Sequence, residues 1–153
     1  MRSIPSALVL LFAVLLPQRT TSAQSATRTT AQGVYTAAQA KSGGDVYTML
    51  CQSCHAAVTH TGAPFKAKWT GRPLSDLFTY IREEMPKTEP GSLSEEEYTL
   101  VLAYILRMNG MPAGRKALSA NEAELRAIRI ELPTDAGSAA QSGSPGLSSR
   151  FHR

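Results

Sequence analysis

The pentapeptide at residues 51–55 carries the residue types with the clearest chemistry in this chain. It reads Cys-Gln-Ser-Cys-His, which is the C-x-x-C-H pattern of c-type haem attachment. Two thiols roughly one helical turn apart can each form a thioether to a haem vinyl group, and the imidazole of His55 is then held beneath the iron as an axial ligand. Cys51 and Cys54 are the only cysteines in the chain, so their use on a haem leaves none for a structural disulfide.

Two other kinds of site use a pair of cysteines at this spacing. C-x-x-C can be a thiol–disulfide redox centre or half of a zinc site. Zinc needs two further ligands, whereas only His60 and His152 remain, and His152 falls in a low-complexity tail. A redox pair normally opens a helix that follows a strand, and no strand-like alternation precedes Cys51. The haem interpretation is favoured, and a thiol–disulfide oxidoreductase stays as an alternative.

Residues 1–23 have the anatomy of a secretory signal peptide. Arg2 supplies a positive start, residues 7–16 form an apolar run, and Ala23 ends a group of small residues typical of a cleavage site. The run is shorter than the roughly 20 residues of a membrane span, so no stable span is expected. Export suits haem attachment, which in bacteria takes place outside the cytoplasm. The expected location is periplasmic or otherwise exported.

The remaining chain divides into three stretches. We predict a flexible leader over residues 24–32, a folded domain over residues 33–132, and a disordered Ala/Gly/Ser-rich tail over residues 133–153. Removing residues 1–23 takes away two arginines, which lowers Lys+Arg from 16 to 14 against 12 acidic residues. The resulting net charge of about +2 is no signal for nucleic-acid binding.

Apolar residues at helical spacing predict an all-α domain with three main helices and a short C-terminal one. The first helix covers residues 36–50 and delivers Cys51, the second covers residues 73–84, the third residues 94–108, and the short one residues 121–130. Capping boxes of the T-x-x-Q and S-x-x-E types open the first and third helices. No strand pair is predicted.

A pair of glycines, Gly43 and Gly44, interrupts the first predicted helix. Glycine lowers helix propensity, so one interpretation is a break in the helix. The other is that another backbone approaches the helix closely at this point, which only a residue without a Cβ allows.

The second axial ligand is expected to be a methionine, because Met/His ligation suits an electron carrier. Met85 is preferred, since it lies in a proline-rich loop between two predicted helices, where a side chain can be held toward a cofactor. Met111 also precedes a proline and is the second choice. Met49 and Met108 are interpreted as core residues. The alternative for Met85 is an ordinary loop methionine that covers an apolar face.

These features resemble the class I c-type cytochromes over about residues 34–110. In that family a first helix leads into C-x-x-C-H, and a methionine in a Met-Pro loop precedes a C-terminal helix that packs across the first one. The chain further resembles the small cytochromes allied with quinoprotein dehydrogenases. The segments that carry this likeness are GVYTAAQA at 33–40, KW at 68–69, IR at 81–82, MP at 85–86, PGSLS at 90–94, EY at 97–98, AYIL at 103–106 and NG at 109–110.

The resemblance implies a cytochrome c-like fold around one covalently bound haem c. Cys51 and Cys54 would hold the haem, and His55 and Met85 would ligate its iron. It implies an exported electron-transfer protein, not an enzyme, which takes electrons from a periplasmic quinoprotein dehydrogenase and passes them to the respiratory chain. Donor and acceptor proteins would dock weakly near the haem edge.

An alternative function follows if Met85 does not bind the iron. The protein would then be a five-coordinate haem c protein that binds small gases or peroxide, with His60 as a group on the open side. With Met85 bound, His60 is interpreted as a surface loop histidine. The family usually carries a proline whose carbonyl accepts the Nδ1–H of the haem histidine. Pro64, nine positions after His55, is the candidate, although it comes earlier than in the family.

Overall fold

Helices make up most of residues 28–133, the part of the chain that the computed structural model describes. The five α-helices in this part are α1 Ala37–Leu50, α2 Gly62–Trp69, α3 Leu74–Glu84, α4 Glu95–Met108 and α5 Glu122–Arg126. Short 3-10 helices cover Thr30–Gln32 and Ala57–His60. Two strands of two residues each, β1 Arg28–Thr29 and β2 Ile128–Arg129, pair in parallel. The predicted all-α class is confirmed.

Capping boxes start α1 and α4 where the sequence predicted them. The Thr36 hydroxyl accepts the N–H of Gln39, and the Gln39 side chain accepts the N–H of Thr36, both at 3.2 Å. Ser94 and Glu97 form the same reciprocal pair at the start of α4, at 3.2 and 2.8 Å. Each box satisfies two N–H groups that a helix end leaves without partners.

The helices α1 and α4 cross in close contact at the glycine pair. A Cβ atom on Gly43 would lie 1.9 Å from the carbonyl oxygen of Leu100, and one on Gly44 would lie 3.1 Å from the Tyr104 ring. Because α1 runs unbroken through both glycines, the close-approach interpretation is confirmed and the alternative interpretation, a break in the helix, is wrong. The crossing holds the helix that delivers Cys51 against the helix that follows the Met-Pro loop.

The rest of the core lies between α2, α3, α4 and α5. Here α3 packs against both α4 and α5. Burying a large apolar side chain contributes roughly 1.5–3 kcal/mol, so this layer supplies much of the stability. The buried side chains from α2, α3 and α5 are Phe65, Trp69, Leu74, Leu77, Phe78, Ile81 and Leu125.

The sequence interpretation missed α2, which lies directly after the haem motif region. No helix was predicted between residues 51 and 72. In the structure Pro64 occupies the first turn of α2, where the missing N–H costs nothing because that group has no partner within the helix.

The predicted helix over residues 121–130 is too long. The helix α5 ends at Arg126, and β2 follows it. Ile128 and Ile130 are buried while Arg129 and Glu131 are exposed. This alternation has the period of a strand, so the prediction of no strand pair was also wrong.

The predicted leader also extends too far. Residues 28–32 belong to the folded part, because β1 pairs with β2 and Thr30 is fully buried. The Thr30 hydroxyl donates to the carbonyl of Glu131 at 2.8 Å and accepts its N–H at 2.9 Å. The signal peptide predicted over residues 1–23, residues 24–27 of the leader and the tail from residue 134 lie outside the described residues.

Candidate functional site

The C-x-x-C-H segment continues the last turn of α1. The N–H of Cys51 donates to the carbonyl of Tyr47 at 2.9 Å, as the next helical bond would. The N–H groups of Cys54 and His55 then both donate to the carbonyl of Cys51, at 3.1 and 2.9 Å. The two free thiols therefore lie about one turn apart, with Cys51 half-buried against the core and Cys54 exposed.

The position of Cys51 does not suit thiol–disulfide exchange. A redox C-x-x-C works through a thiolate, which a helix N-terminus stabilises. Cys51 lies at the C-terminal end of α1, where the helix dipole disfavours negative charge. Burial, and to a lesser extent the neighbouring Cys54, raises the pKa of the Cys51 thiol. The structure therefore favours a thiol available for thioether formation over a reactive thiolate.

The backbone of His55 is tied to the α1–α4 crossing through Tyr47. The Tyr47 hydroxyl donates to the carbonyl of His55 at 3.0 Å. The Tyr47 ring is buried and packs against Tyr104 of α4, with 5.2 Å between the ring centroids. His55 itself is partly exposed. A buried contact between two helices thus fixes where the histidine backbone lies.

His60 lies beside His55 and is not the surface loop histidine that the sequence suggested. The centroids of the two imidazole rings are 4.8 Å apart, and His60 also meets Tyr47 edge-on at 6.0 Å. The Asn109 side chain at the end of α4 donates to the carbonyl of His60 at 2.8 Å. Burial, followed by His55, lowers the pKa of His60. No local pattern in the sequence predicts the contact between the His60 and His55 rings.

Met85 lies at the C-terminal end of α3. Its N–H donates to the carbonyl of Ile81 at 3.0 Å, and its carbonyl accepts the hydroxyl of Tyr98 at 2.7 Å. The side chain is partly exposed and packs against the hydrophobic core. An exposed ion pair between Lys87 and Glu84, at 2.6 Å, joins the loop to α3 just beyond it. The Met85 side chain is therefore half-buried, and hydrogen bonds fix both the N–H and the carbonyl of the residue.

The other described methionines have different surroundings. Met111 is 2% exposed, and its carbonyl accepts the hydroxyl of Tyr35 at 2.5 Å. Met108 is partly buried against the core, in keeping with its interpretation. Met49 is 70% exposed, so its assignment to the core was wrong. It projects from α1 just before the haem motif, opposite the face that packs on α4.

Cationic side chains lie over the aromatic rings of α2 and α3. The Lys68 ammonium is 3.9 Å from the Tyr80 ring centroid and 4.9 Å from that of Trp69, and the Arg72 guanidinium is 5.0 Å from the Trp69 centroid. Trp69 is buried and lies 5.5 Å from Tyr80. Such contacts stabilise this corner of the domain.

The residues at this site fit a haem. The motif presents two free thiols, with an imidazole directly after the second. Three apolar side chains beside it, Met49, Leu50 and Val58, are exposed by 70, 42 and 71%, and a porphyrin offers apolar surface to cover such groups. Across residues 28–133 no cluster of three His, Cys, Asp or Glu side chains could hold a metal ion. A haem iron needs only two axial ligands from the protein, because the porphyrin supplies the others.

A family match agrees with this geometry. Residues 38–105 match the sequence model of the family described as cytochrome c oxidase, cbb3-type, subunit III. The segment is therefore similar to a c-type cytochrome domain. It spans almost all of α1 to α4 and includes the haem motif and Met85, so the predicted cytochrome c fold is confirmed. No curated protein and no solved structure matches the chain.

A c-type cytochrome domain implies haem c as the cofactor, electron transfer as the role, and redox proteins as partners. None of the helices in residues 28–133 is long and apolar enough to cross a membrane. The assignment of His55 and Met85 as iron ligands stays a prediction. Pro64 is exposed in the first turn of α2, and its carbonyl contact with His55 stays a prediction.

Proposed function

We propose that this protein is an exported monohaem cytochrome c that carries single electrons from a periplasmic quinoprotein dehydrogenase to the respiratory chain. The observation that carries the proposal is the placement of the motif at the end of α1 and of Met85 at the end of α3. Cys51 and Met85 both pack, half-buried, against one hydrophobic core. Haem c, when bound, supplies the reversible one-electron couple of its iron.

In this proposal Cys51 and Cys54 form the two thioethers, and His55 is one axial ligand. The turn that begins at Cys51 sets the spacing of the thiols and directs the histidine. Tyr47 holds the carbonyl of His55 against the helix crossing, which limits the freedom of the histidine before the cofactor binds. Such preorganisation lowers the entropy cost of ligation.

Met85 is the second axial ligand in this proposal. Its thioether is partly exposed, whereas the side chain of Met111 is enclosed by protein atoms. An enclosed sulfur leaves no room for a porphyrin face beside it. Met49 projects from the exposed side of α1. With both axial positions filled by protein, the domain exchanges electrons without binding a substrate at the iron.

Export and the redox partners rest on the sequence. The signal peptide predicted over residues 1–23 leads to the periplasm, where quinoprotein dehydrogenases act. The proposal that a quinoprotein dehydrogenase is the electron donor is based on the resemblance to cytochromes allied with these enzymes. Docking is weak and near the haem edge, with an interface at the small end of protein–protein interfaces, below about 1,200 Å².

The test of this proposal replaces Met85 by Ala in the haem-loaded protein. Oxidised wild type should show a weak far-red Met–iron absorption band and resist carbon monoxide. Met85→Ala should lose the band and bind carbon monoxide, because the sixth position opens, while the haem stays covalently attached through Cys51 and Cys54. Met49→Ala is the matched control, since that thioether is exposed beside the motif and should leave both readouts unchanged.

Other outcomes contradict parts of the proposal. Carbon monoxide binding by wild type would support the five-coordinate gas- or peroxide-binding alternative. A far-red band that survives Met85→Ala would move the ligand to another methionine. A colourless product from cells with haem-attachment machinery would reject the cytochrome function. Failure of a purified quinoprotein alcohol dehydrogenase to reduce the cytochrome, followed by stopped-flow absorption, would reject the donor class tested.

A further inference from the structure

Two buried tyrosines make the same contact with two different methionines. The Tyr98 hydroxyl donates to the carbonyl of Met85 at 2.7 Å, and the Tyr35 hydroxyl donates to the carbonyl of Met111 at 2.5 Å. Both tyrosines are 1% exposed, and both methionines precede a proline. A proline has no N–H, so neither Met-Pro segment can continue a helix. Each hydroxyl therefore holds a carbonyl at a place where the helical pattern ends.

At Met85 the hydrogen bond from Tyr98 fixes the second of the two backbone polar groups of the residue. The N–H group is held by the last helical bond of α3, to Ile81. The carbonyl is held by Tyr98, and the chain then turns away through a bond from the N–H of Glu89 to the carbonyl of Pro86 at 3.0 Å. The side chain of Met85 thus projects from the last backbone position that is fixed before the loop.

The capping box of α4 places Tyr98 for this contact. Ser94 and Glu97 fix the first turn of α4, and Tyr98 directly follows Glu97 with its N–H bonded to the carbonyl of Ser94 at 3.0 Å. Tyr98 and Met85 lie 13 positions apart. The contact therefore joins the two ends of the loop between α3 and α4.

A thioether is a weak ligand, so its bond to iron depends on how well the protein holds the sulfur in place. We propose that Tyr98 is a positioning residue for Met85, whose hydroxyl keeps the methionine directed toward the haem iron. This inference rests on the proposed function, because it takes Met85 as the axial ligand. It goes beyond that function because it makes the strength of the bond between the Met85 sulfur and the iron depend on Tyr98, a residue of α4.

The experiment compares Tyr98→Phe with Tyr35→Phe in the haem-loaded protein. Each change removes one buried hydroxyl that donates to a methionine carbonyl, and each keeps the ring. The loss of fold stability should be similar, and only Tyr98→Phe should affect the ligand. The readouts are the amplitude of the far-red Met–iron band and the affinity for carbon monoxide, with Met85→Ala as the fully open reference.

We expect Tyr98→Phe to weaken the far-red band and to raise the affinity for carbon monoxide roughly three- to tenfold, the factor that one neutral hydrogen bond is worth. Tyr35→Phe should match wild type in both readouts. Equal readouts for Tyr98→Phe and wild type would overturn the inference, as would a larger effect of Tyr35→Phe. A wild type that already lacks the band and binds carbon monoxide would instead show that Met85 ligation itself fails.

A second pair of variants covers the case in which Tyr98→Phe does not fold. Ser94→Ala removes the capping hydroxyl and loosens the first turn of α4, whereas Thr36→Ala does the same for α1. Ser94→Ala should weaken the far-red band, because that turn carries Tyr98, and Thr36→Ala should leave it unchanged. Equal bands in the two variants would overturn the inference.

Discussion

The role assigned to the His60 side chain depends on the fold. Its ring lies 4.8 Å from that of His55, and the loop that carries it is tied to α4 through Asn109. A group that acts on a ligand bound at the open side of the haem must lie across the haem plane from His55. His60 lies beside His55, so if His55 ligates the iron as proposed, His60 packs on the same side of the haem as His55.

This placement predicts the effect of His60→Ala in a Met85→Ala background, where the sixth position is open. The affinity for carbon monoxide should stay within about threefold of the Met85→Ala parent, because no hydrogen bond to the bound gas is lost. Equilibrium titration of the reduced protein with carbon monoxide measures it. A loss of tenfold or more, the scale of a hydrogen bond to bound gas, would assign His60 to the open side.

Among the elements, the crossing of α1 and α4 matters most to the site. It holds Tyr47 against Tyr104, and Tyr47 in turn holds His55. The contact is possible because Gly43 lets the carbonyl of Leu100 approach the backbone of α1. A Cβ on Gly44 would meet side chains and no backbone: the edge of the Tyr104 ring at 3.1 Å, which would have to shift by a few tenths of an ångström, and the Arg107 guanidinium at 3.6 Å.

Alanine at these two glycines should therefore have different effects. Gly43→Ala should lower the free energy of unfolding by about 3 kcal/mol or more, because a backbone carbonyl cannot move away from the new methyl group. Gly44→Ala should stay within about 1 kcal/mol of wild type, because a gain in helix propensity offsets the tighter contact. Urea unfolding followed by circular dichroism compares them. Similar losses in both variants would argue against the crossing described here.

For the whole molecule, the segments before α1 and after α4 are joined to each other. The strands β1 and β2 pair, and Thr30 exchanges two hydrogen bonds with Glu131. The Gln39 side chain bonds both backbone groups of Leu118, at 2.8 and 2.9 Å. These contacts lie at or beyond the edges of the matched segment 38–105 and close the domain around it.

A chain that starts at Gly33, the boundary expected from sequence, should be less stable than one that starts at Arg28. Losing β1 and both bonds of the Thr30 hydroxyl should cost roughly 2–3 kcal/mol, at about 1 kcal/mol for each hydrogen bond. Thermal unfolding of the two haem-loaded variants behind the same signal peptide measures it. Thr30→Val should give a smaller loss in the same direction, and Thr30→Ser, which keeps the hydroxyl, should give the least. Equal melting temperatures for the two chains would show that residues 28–32 add nothing.

The sequence by itself determined the starts of α1 and α4, the end of α3 and the position of the C-x-x-C-H turn. Capping boxes, helix-ending prolines and 3.6-residue periodicity act over a few neighbouring residues, so they are visible in the chain without knowledge of the fold. It also singled out Met85 by the prolines around it. It missed α2, and it extended the last helix into the alternating residues after α5, where the local signal is ambiguous.

Only the tertiary structure decided the contacts between distant positions. Thr30 and Glu131 are 101 positions apart, His60 and Asn109 are 49, and Tyr98 and Met85 are 13. Whether such groups meet depends on how helices cross and on which backbones approach closely, as Gly43 allows. Packing selects these pairs from many that local preferences permit, because the free energy of burial belongs to the assembled core and not to any one segment.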